Sequence, residues 1–220
     1  MTVISLTVDC ELFARGLANA LAFIPANSRF VNVWIRLNPE SLTMEICGTD
    51  GYAAGLSTVP LDRHSDPPER REFLIRKGKA DTKVAEGAAG LERTVRMAGK
   101  GPCDVSFIDT IVQVEPMGGE TLRVALVHAP EMFDYYQQLS EHIGTAEKRS
   151  ETMPGVVCLD PALWSRFSKV KTDKTGRMAD LLFGDSPLDP VLVKIGPAFR
   201  GLIMPIDRAV NAKNVGAEGL

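Results

Sequence analysis

The side chains that most often carry covalent or acid–base chemistry are few and scattered in this chain. His64, His128 and His142 each stand alone, with no carboxylate or cysteine at a ligand or triad spacing. Neither Ser165 nor Ser168 stands at Ser-x-x-Lys spacing from Lys169. The phosphate-cradling GxGxxG and P-loop patterns are missing, as are HExxH and GxSxG. Asp50 is the most prominent carboxylate, in the stretch "ICGTDGYAAG" (46–55), where an apolar run breaks into Thr49-Asp50-Gly51-Tyr52. An Asp before Gly in a turn usually bonds its own backbone, so a structural role is the plainer reading than a catalytic one. No catalysis and no cofactor are expected.

Cys10, Cys47, Cys103 and Cys158 are far apart and form no CxxC or Cys/His pair. They read as free, mostly buried thiols in a reducing compartment rather than as metal ligands or disulfides. The start "MTVISLTVDCELFARG" has neither a basic n-region nor a long apolar core, and no run of about 18 apolar residues follows, so a cytoplasmic location is expected. The chain of 220 residues, 45% hydrophobic and 24% charged, suits one large or two small globular domains. A net charge of −3 excludes a generally basic, nucleic-acid-coating protein. Any contact with phosphate must come from local clusters. Lys77, Lys79 and Lys83 form one such cluster; Arg166, Lys169, Lys171, Lys174 and Arg177 form another; Arg15 is a lone base on the first helix. Each of these is also compatible with an ordinary solvated surface.

These residues must be placed by the elements around them. "VISLTV" (3–8) reads as a strand, and Asp9 as the N-cap of a helix with Phe13, Leu17, Leu21 and Ile24 on one stripe. Strands are expected at 29–37, 42–48, 52–61 and 73–77, with Asn38-Pro39 and Asp50-Gly51 as turns. A weak helical stripe, Ala80, Val84, Ala88 and Leu91, predicts a helix over 78–92, although its glycines oppose it. "CDVSFI", "TIVQVEP" and "TLRVALV" follow as strands. Residues 3 to 127 therefore spell a βαβββ unit twice: an α+β fold with helices on one face of antiparallel sheets. Beyond it come a helix at 130–143 carrying Met132, Tyr136, Leu139 and Ile143, a polar segment at 144–155, and a strand "VVCL". Asp160-Pro161 then start a helix over 161–171 with Leu163, Phe167 and Val170 inward. Strands at 179–184, 190–196 and 199–207 complete a single further unit, ahead of a tail expected to be disordered. The expected division is 1–128, 129–210 and a tail at 211–220.

Three segments carry a resemblance. "TDGYAAG" (49–55) is similar to the TDGxRLA turn in the middle domain of the DNA polymerase sliding clamps, in particular the bacterial β type. "TLRVALVHAPEMFDYY" (121–136) is similar to the end of that domain, and "PVLVKIGPAFRGLIMPIDR" (190–208) to the closing strands and the C-terminal MPMR motif. The family's Arg-Leu is here Ala53-Ala54, and its final Met-Arg is Ile206-Asp207. The resemblance implies a DNA-clamp fold in a compact, phage-like two-domain form. It also implies a homo-oligomeric ring, with three copies favoured, around duplex DNA held without base reading, and polymerase and other replication proteins bound through short peptide tails. One wall of the tail pocket would be Thr49, Gly51, Tyr52, Ala53 and Ala54, with Val31 beside it. The other would be Leu202, Ile203, Met204, Pro205 and Ile206. The DNA-facing set would be Arg15, Lys77, Lys79, Lys83, Arg166, Lys169, Lys171, Lys174 and Arg177.

Read alone, "GLIMPI" is a buried last strand and Thr49-Asp50-Gly51 a hairpin turn. A rival from a different class is a clamp-fold binding module or decoy that never closes a ring, which the shortened second part favours. An unrelated α+β enzyme is the third reading.

Overall fold

A computed structural model describes residues 3–62, 71–79, 86–148, 157–173 and 178–207. The first strand, β1 (Val3–Asp9), buries Ile4, Leu6 and Val8 at every second position. The Asp9 carboxylate then accepts from the Leu12 amide at 3.0 Å, which caps helix α1 (Cys10–Ala22) as expected. Its buried stripe runs through Phe13 and Leu17. Strands β2 (Asn32–Asn38), β3 (Thr43–Thr49) and β4 (Ala53–Pro60) follow as antiparallel neighbours. The second unit is β5 (Arg71–Arg76), α2 (Gly87–Ala98), β6 (Pro102–Ile108), β7 (Ile111–Pro116) and β8 (Leu122–Ala125).

The two units exchange their first strands. β1 pairs with β6 in a four-stranded sheet of order β1-β6-β7-β8, while β5 pairs with β2 in the other sheet. Between these layers, with α1 against α2, lies the largest core cluster, which includes Phe13, Leu17, Ile35, Ile46, Leu91, Val105 and Val114. Of the helix expected over 78–92, residues 80–85, with Ala80 and Val84, lie outside the described residues, and α2 runs past the expected end to Ala98. Gly78 and Gly87 both have positive φ and approach each other's backbone too closely for a Cβ, so the chain turns there and the helix starts later, burying Ala88, Leu91 and Val95.

Helix α3 (Pro130–Glu147) outruns its expected end at 143 and lies on the other face of the second sheet. On β2, Val33 and Ile35 point toward α1 while Trp34, between them, points toward α3 and stacks on Tyr136 at 5.4 Å. The Tyr136 hydroxyl donates to the Asn32 carbonyl at 2.8 Å. So α1 and α2 share one face and α3 covers the opposite one. This leaves β2 buried on both sides.

The expected helix over 161–171 is replaced by a single turn, α4 (Pro161–Trp164), and a 3-10 turn at Phe167–Lys169. Four bonds accompany the break. The Ser165 and Ser168 hydroxyls donate to the carbonyls of Ala162 and Ser165, and the Asn19 amide captures the Lys171 backbone through N–H at 2.7 Å and C=O at 3.2 Å. Phe167 is meanwhile held between Phe23 and Phe199. Residues 157–159 form no strand; the Cys158 carbonyl only accepts from the Ile206 amide at 2.8 Å. Strands β9 (Ala179–Leu182), β10 (Val191–Ile195) and β11 (Phe199–Ile203) complete the second sheet, of order β5-β2-β3-β4-β11-β10-β9. That sheet runs unbroken across the expected boundary at 128. The tail at 211–220 lies outside the described residues.

Candidate partner pocket and nucleic-acid face

The pocket is built by the β4–β11 junction. Pairing sets Ile203 opposite Ala53 and Leu202 opposite Ala54, and the Met204 amide donates to the Tyr52 carbonyl at 2.9 Å. The turn between β3 and β4 is bonded throughout. Thr49 Oγ1 donates to the Ala53 carbonyl at 2.9 Å and accepts from the Gly51 amide at 3.0 Å. One Asp50 oxygen accepts from the amides of Tyr52 and Ala53, both at 2.9 Å. The other accepts from Arg166 Nη1 at 2.5 Å. Gly51 has φ 94° and lies against the Phe30 ring, where a side chain would be strained and crowded. This fixes the turn and leaves Tyr52 projecting, 66% exposed.

The resulting cavity holds about 240 Å³. Of the expected lining, it brings together Thr49, Gly51, Tyr52, Ala53, Ala54, Leu202 and Met204. Met204 is 40% exposed at its mouth. Val31, Ile203, Pro205 and Ile206 are not part of it. Ile203 is a correction with a simple cause: on a strand, neighbours face opposite sides, so Leu202 packs under α3 while Ile203 joins the core around Phe167 and Phe199. Val31 contributes its carbonyl to the Lys77 amide instead.

Five lining residues were not anticipated: Pro190, and Tyr135, Gln138, Leu139 and His142 of α3. The last four fall at i, i+3, i+4 and i+7, a stripe that shares Leu139 with the expected one, and that spacing was available to find them. Tyr135 stacks on Phe30 at 4.7 Å, and burial raises the pKa of its hydroxyl. Of the other histidines, His128 is exposed and His64 lies outside the described residues.

A second concavity, about 850 Å³, lies between α1, α2 and the 164–172 segment. It gathers Arg15 and Lys171 from the expected basic set and adds Arg96 and Lys100. Arg15 pairs with Glu11 at 2.9 Å, and Glu92 pairs with Arg96 at 2.9 Å and Lys171 at 3.6 Å. Lys79 and Lys169 are exposed. Two expected members are corrections. Arg166 is committed to Asp50, with only 15% and 9% of the two side chains exposed. Lys77 donates to the Ile24 carbonyl, and burial lowers its pKa. Lys83, Lys174 and Arg177 lie outside the described residues.

The enzyme-like features resolve structurally. Ser168 and Lys171 do stand at Ser-x-x-Lys spacing, but the hydroxyl donates to the Ser165 carbonyl at 2.6 Å and the ammonium faces Glu92. Neither is arranged as nucleophile and base. The four cysteines are free thiols, and burial raises the pKa of Cys10, Cys47 and Cys103. Among the described residues no cluster of His, Cys, Asp or Glu is placed to hold a metal, and no helix is long and apolar enough to cross a membrane.

The arrangement of two βαβββ units with exchanged first strands, continued by β9 to β11 beside β4, is similar in fold to solved bacterial DNA polymerase sliding clamps. The fold superposes on the sliding clamp of Pseudomonas aeruginosa, solved with a ligand, with a TM-score of 0.66 at 13% identity, covering 93% of this chain and 66% of that one. For the DNA polymerase III beta subunit of Thermotoga maritima the TM-score is 0.64 at 13% identity, covering 93% and 65%. The beta subunit of Streptococcus pyogenes DNA polymerase gives 0.60 at 12%, covering 93% and 65%. The chain thus spans just under two thirds of the length of these neighbours. Comparison of the sequence with protein-family models and with curated proteins yields no match.

Proposed function

We propose that this chain is a non-catalytic, clamp-type processivity factor of DNA replication. Copies of it close a ring around duplex DNA, most simply a homotrimer as in compact phage clamps. It works in the cytoplasm and tethers polymerase and other replication proteins by their peptide tails. The observation that carries this reading is the meeting of the Thr49–Ala54 turn with Leu202 and Met204 in one apolar cavity, at the junction where the sequence resemblance puts a tail site. An apolar floor, a flexible Met204 at the mouth and a backbone-bonded rim suit a leucine or aromatic anchor of a short peptide. With Ala53-Ala54 where the clamps carry Arg-Leu, the anchor is held by shape and apolar area rather than by a guanidinium.

The test is binding of a fluorescent polymerase-tail peptide to Met204→Asp. Binding is expected to fall below detection with the melting temperature unchanged; undiminished binding removes the pocket from the account. For the DNA face, Lys169→Glu combined with Lys171→Glu is expected to weaken retention on duplex DNA and shorten polymerase runs, and full processivity excludes both lysines.

A binding module that does not encircle DNA is the second reading. One observation favours it: beyond α3 the described residues supply only the three strands β9 to β11, against the eight that precede α3, so the second part offers little sheet of its own for pairing with another subunit.

A further inference from the structure

Trp164 is an exposed indole in a charged groove, and the tail-peptide site does not use it. It is 37% exposed and lines the concavity that also holds Arg15, Arg96, Lys100 and Lys171. We propose that this groove is a subsite for single-stranded nucleic acid, in which an unpaired base stacks on Trp164 while these four cations hold the adjoining phosphates. The inference deepens the DNA-holding role proposed for this face and rests on it.

Charge selects the ligand class. Two carboxylates, Glu11 and Glu92, face the four cations, and Glu92 is shared between Arg96 and Lys171. No carboxylate among the described residues pairs with Lys100. Positive charge is therefore in excess here, in a chain whose net charge is −3. An apolar protein segment would leave those cations unanswered, whereas a phosphate backbone neutralises them.

The indole selects the strand state. Its ring lies 5.6 Å from that of Phe167, and Phe167 is in turn fixed against Phe23 at 4.9 Å and Phe199 at 6.3 Å. Trp164 is thus a flat apolar surface on a rigid base, ordered before any ligand arrives. Stacking on such a platform is how proteins hold unpaired bases without reading sequence. A duplex keeps its bases stacked on one another and offers Trp164 only its sugar–phosphate exterior. The volume, about 850 Å³, lies within the roughly 300–1,000 Å³ of ordinary ligand sites.

Tryptophan fluorescence tests this directly, because the other tryptophan, Trp34, is fully buried under α3 and reports little on an added ligand. The probes are a short oligothymidylate, a duplex of the same length and thymidine monophosphate. The single strand is expected to quench Trp164, more weakly as salt rises. Trp164→Ala should lower its affinity about tenfold and Trp164→Phe much less, with duplex binding unchanged in both. Circular dichroism confirms that the variants fold. Thymidine monophosphate at equal affinity would make the groove a free-nucleotide site and overturn the proposal. So would an oligothymidylate affinity indifferent to Trp164→Ala, or an equal loss on duplex. Duplex binding retained while the single strand fails sinks the subsite alone. Failure of duplex binding, with quenching by the single strand intact, sinks the ring reading and not the subsite.

Discussion

Asp50 uses both carboxylate oxygens, one for the amides of its own turn and one for Arg166 from a segment 116 residues away. The sequence reading of an Asp before Gly as a backbone-bonding residue is what the turn does. The second half of its role was illegible because nothing local pairs residues 50 and 166. Arg166 instead looked like one more surface base beside Lys169 and Lys171. Because the pair is mostly buried, removing one partner strands the other's charge. Arg166→Met is expected to cost about 3 kcal/mol, and pairing it with Asp50→Asn should recover part of that. Urea unfolding checks both; a loss under about 0.5 kcal/mol, the usual scale for a surface change, would show the pair to be solvated. Ile203 teaches a second lesson at this scale. Five consecutive residues, 202–206, cannot form one wall, because strand alternation sends Leu202 and Ile203 to different cores.

Among the elements, α1 was legible because its cap and stripe agree, whereas α2 and α4 were misplaced for opposite reasons. The α2 stripe is weak and its start is hidden by two glycines whose positive φ only the fold requires. The α4 stripe was convincing, but the helix stops at Trp164, where the Ser165 and Ser168 hydroxyls bond the carbonyls three residues behind them and Asn19 on a distant helix holds the chain at Lys171. Helix α3 was found with one face only. Its second stripe makes the third wall of the pocket, so Leu139→Asp should weaken tail-peptide binding at least tenfold while Tyr136 and Ile143 keep the helix docked. Unchanged titration of the peptide would show that α3 only borders the site. The seat of α1 on β3 is tested by Gly48→Ala. The added methyl would meet the Ala20 carbonyl, part of the helix backbone, and a cost of about 1–3 kcal/mol is expected in denaturant melts. A neutral result would mean that the helix can lift away.

At the scale of the molecule, three buried thiols make stability depend on alkaline pH. Burial raises the folded-state pKa of Cys10, Cys47 and Cys103 above the ordinary 9.0, so the folded chain holds protons that the unfolded chain has released. Their contribution is full below about pH 9 and is lost progressively above it. Lys77 acts the other way, since its lowered pKa makes the folded form gain relative stability as pH approaches 10.5. The thiols, joined near pH 10 by Tyr135 and Tyr136, whose hydroxyl pKa burial also raises, outweigh Lys77: the urea midpoint should decline above pH 9, less steeply in Cys103→Ala. A midpoint constant to pH 10.5 would contradict this balance. The doubled βαβββ pattern was legible as a repeat, but the exchange of β1 and β5 between sheets was not, since periodicity says nothing of which sheet a strand joins. Assembly is the property on which the clamp reading stands, and solution mass across a range of concentrations measures it most directly. Size-exclusion chromatography with light scattering should give a stable trimer. A monomer at every concentration, with duplex DNA present as well as absent, would contradict the ring.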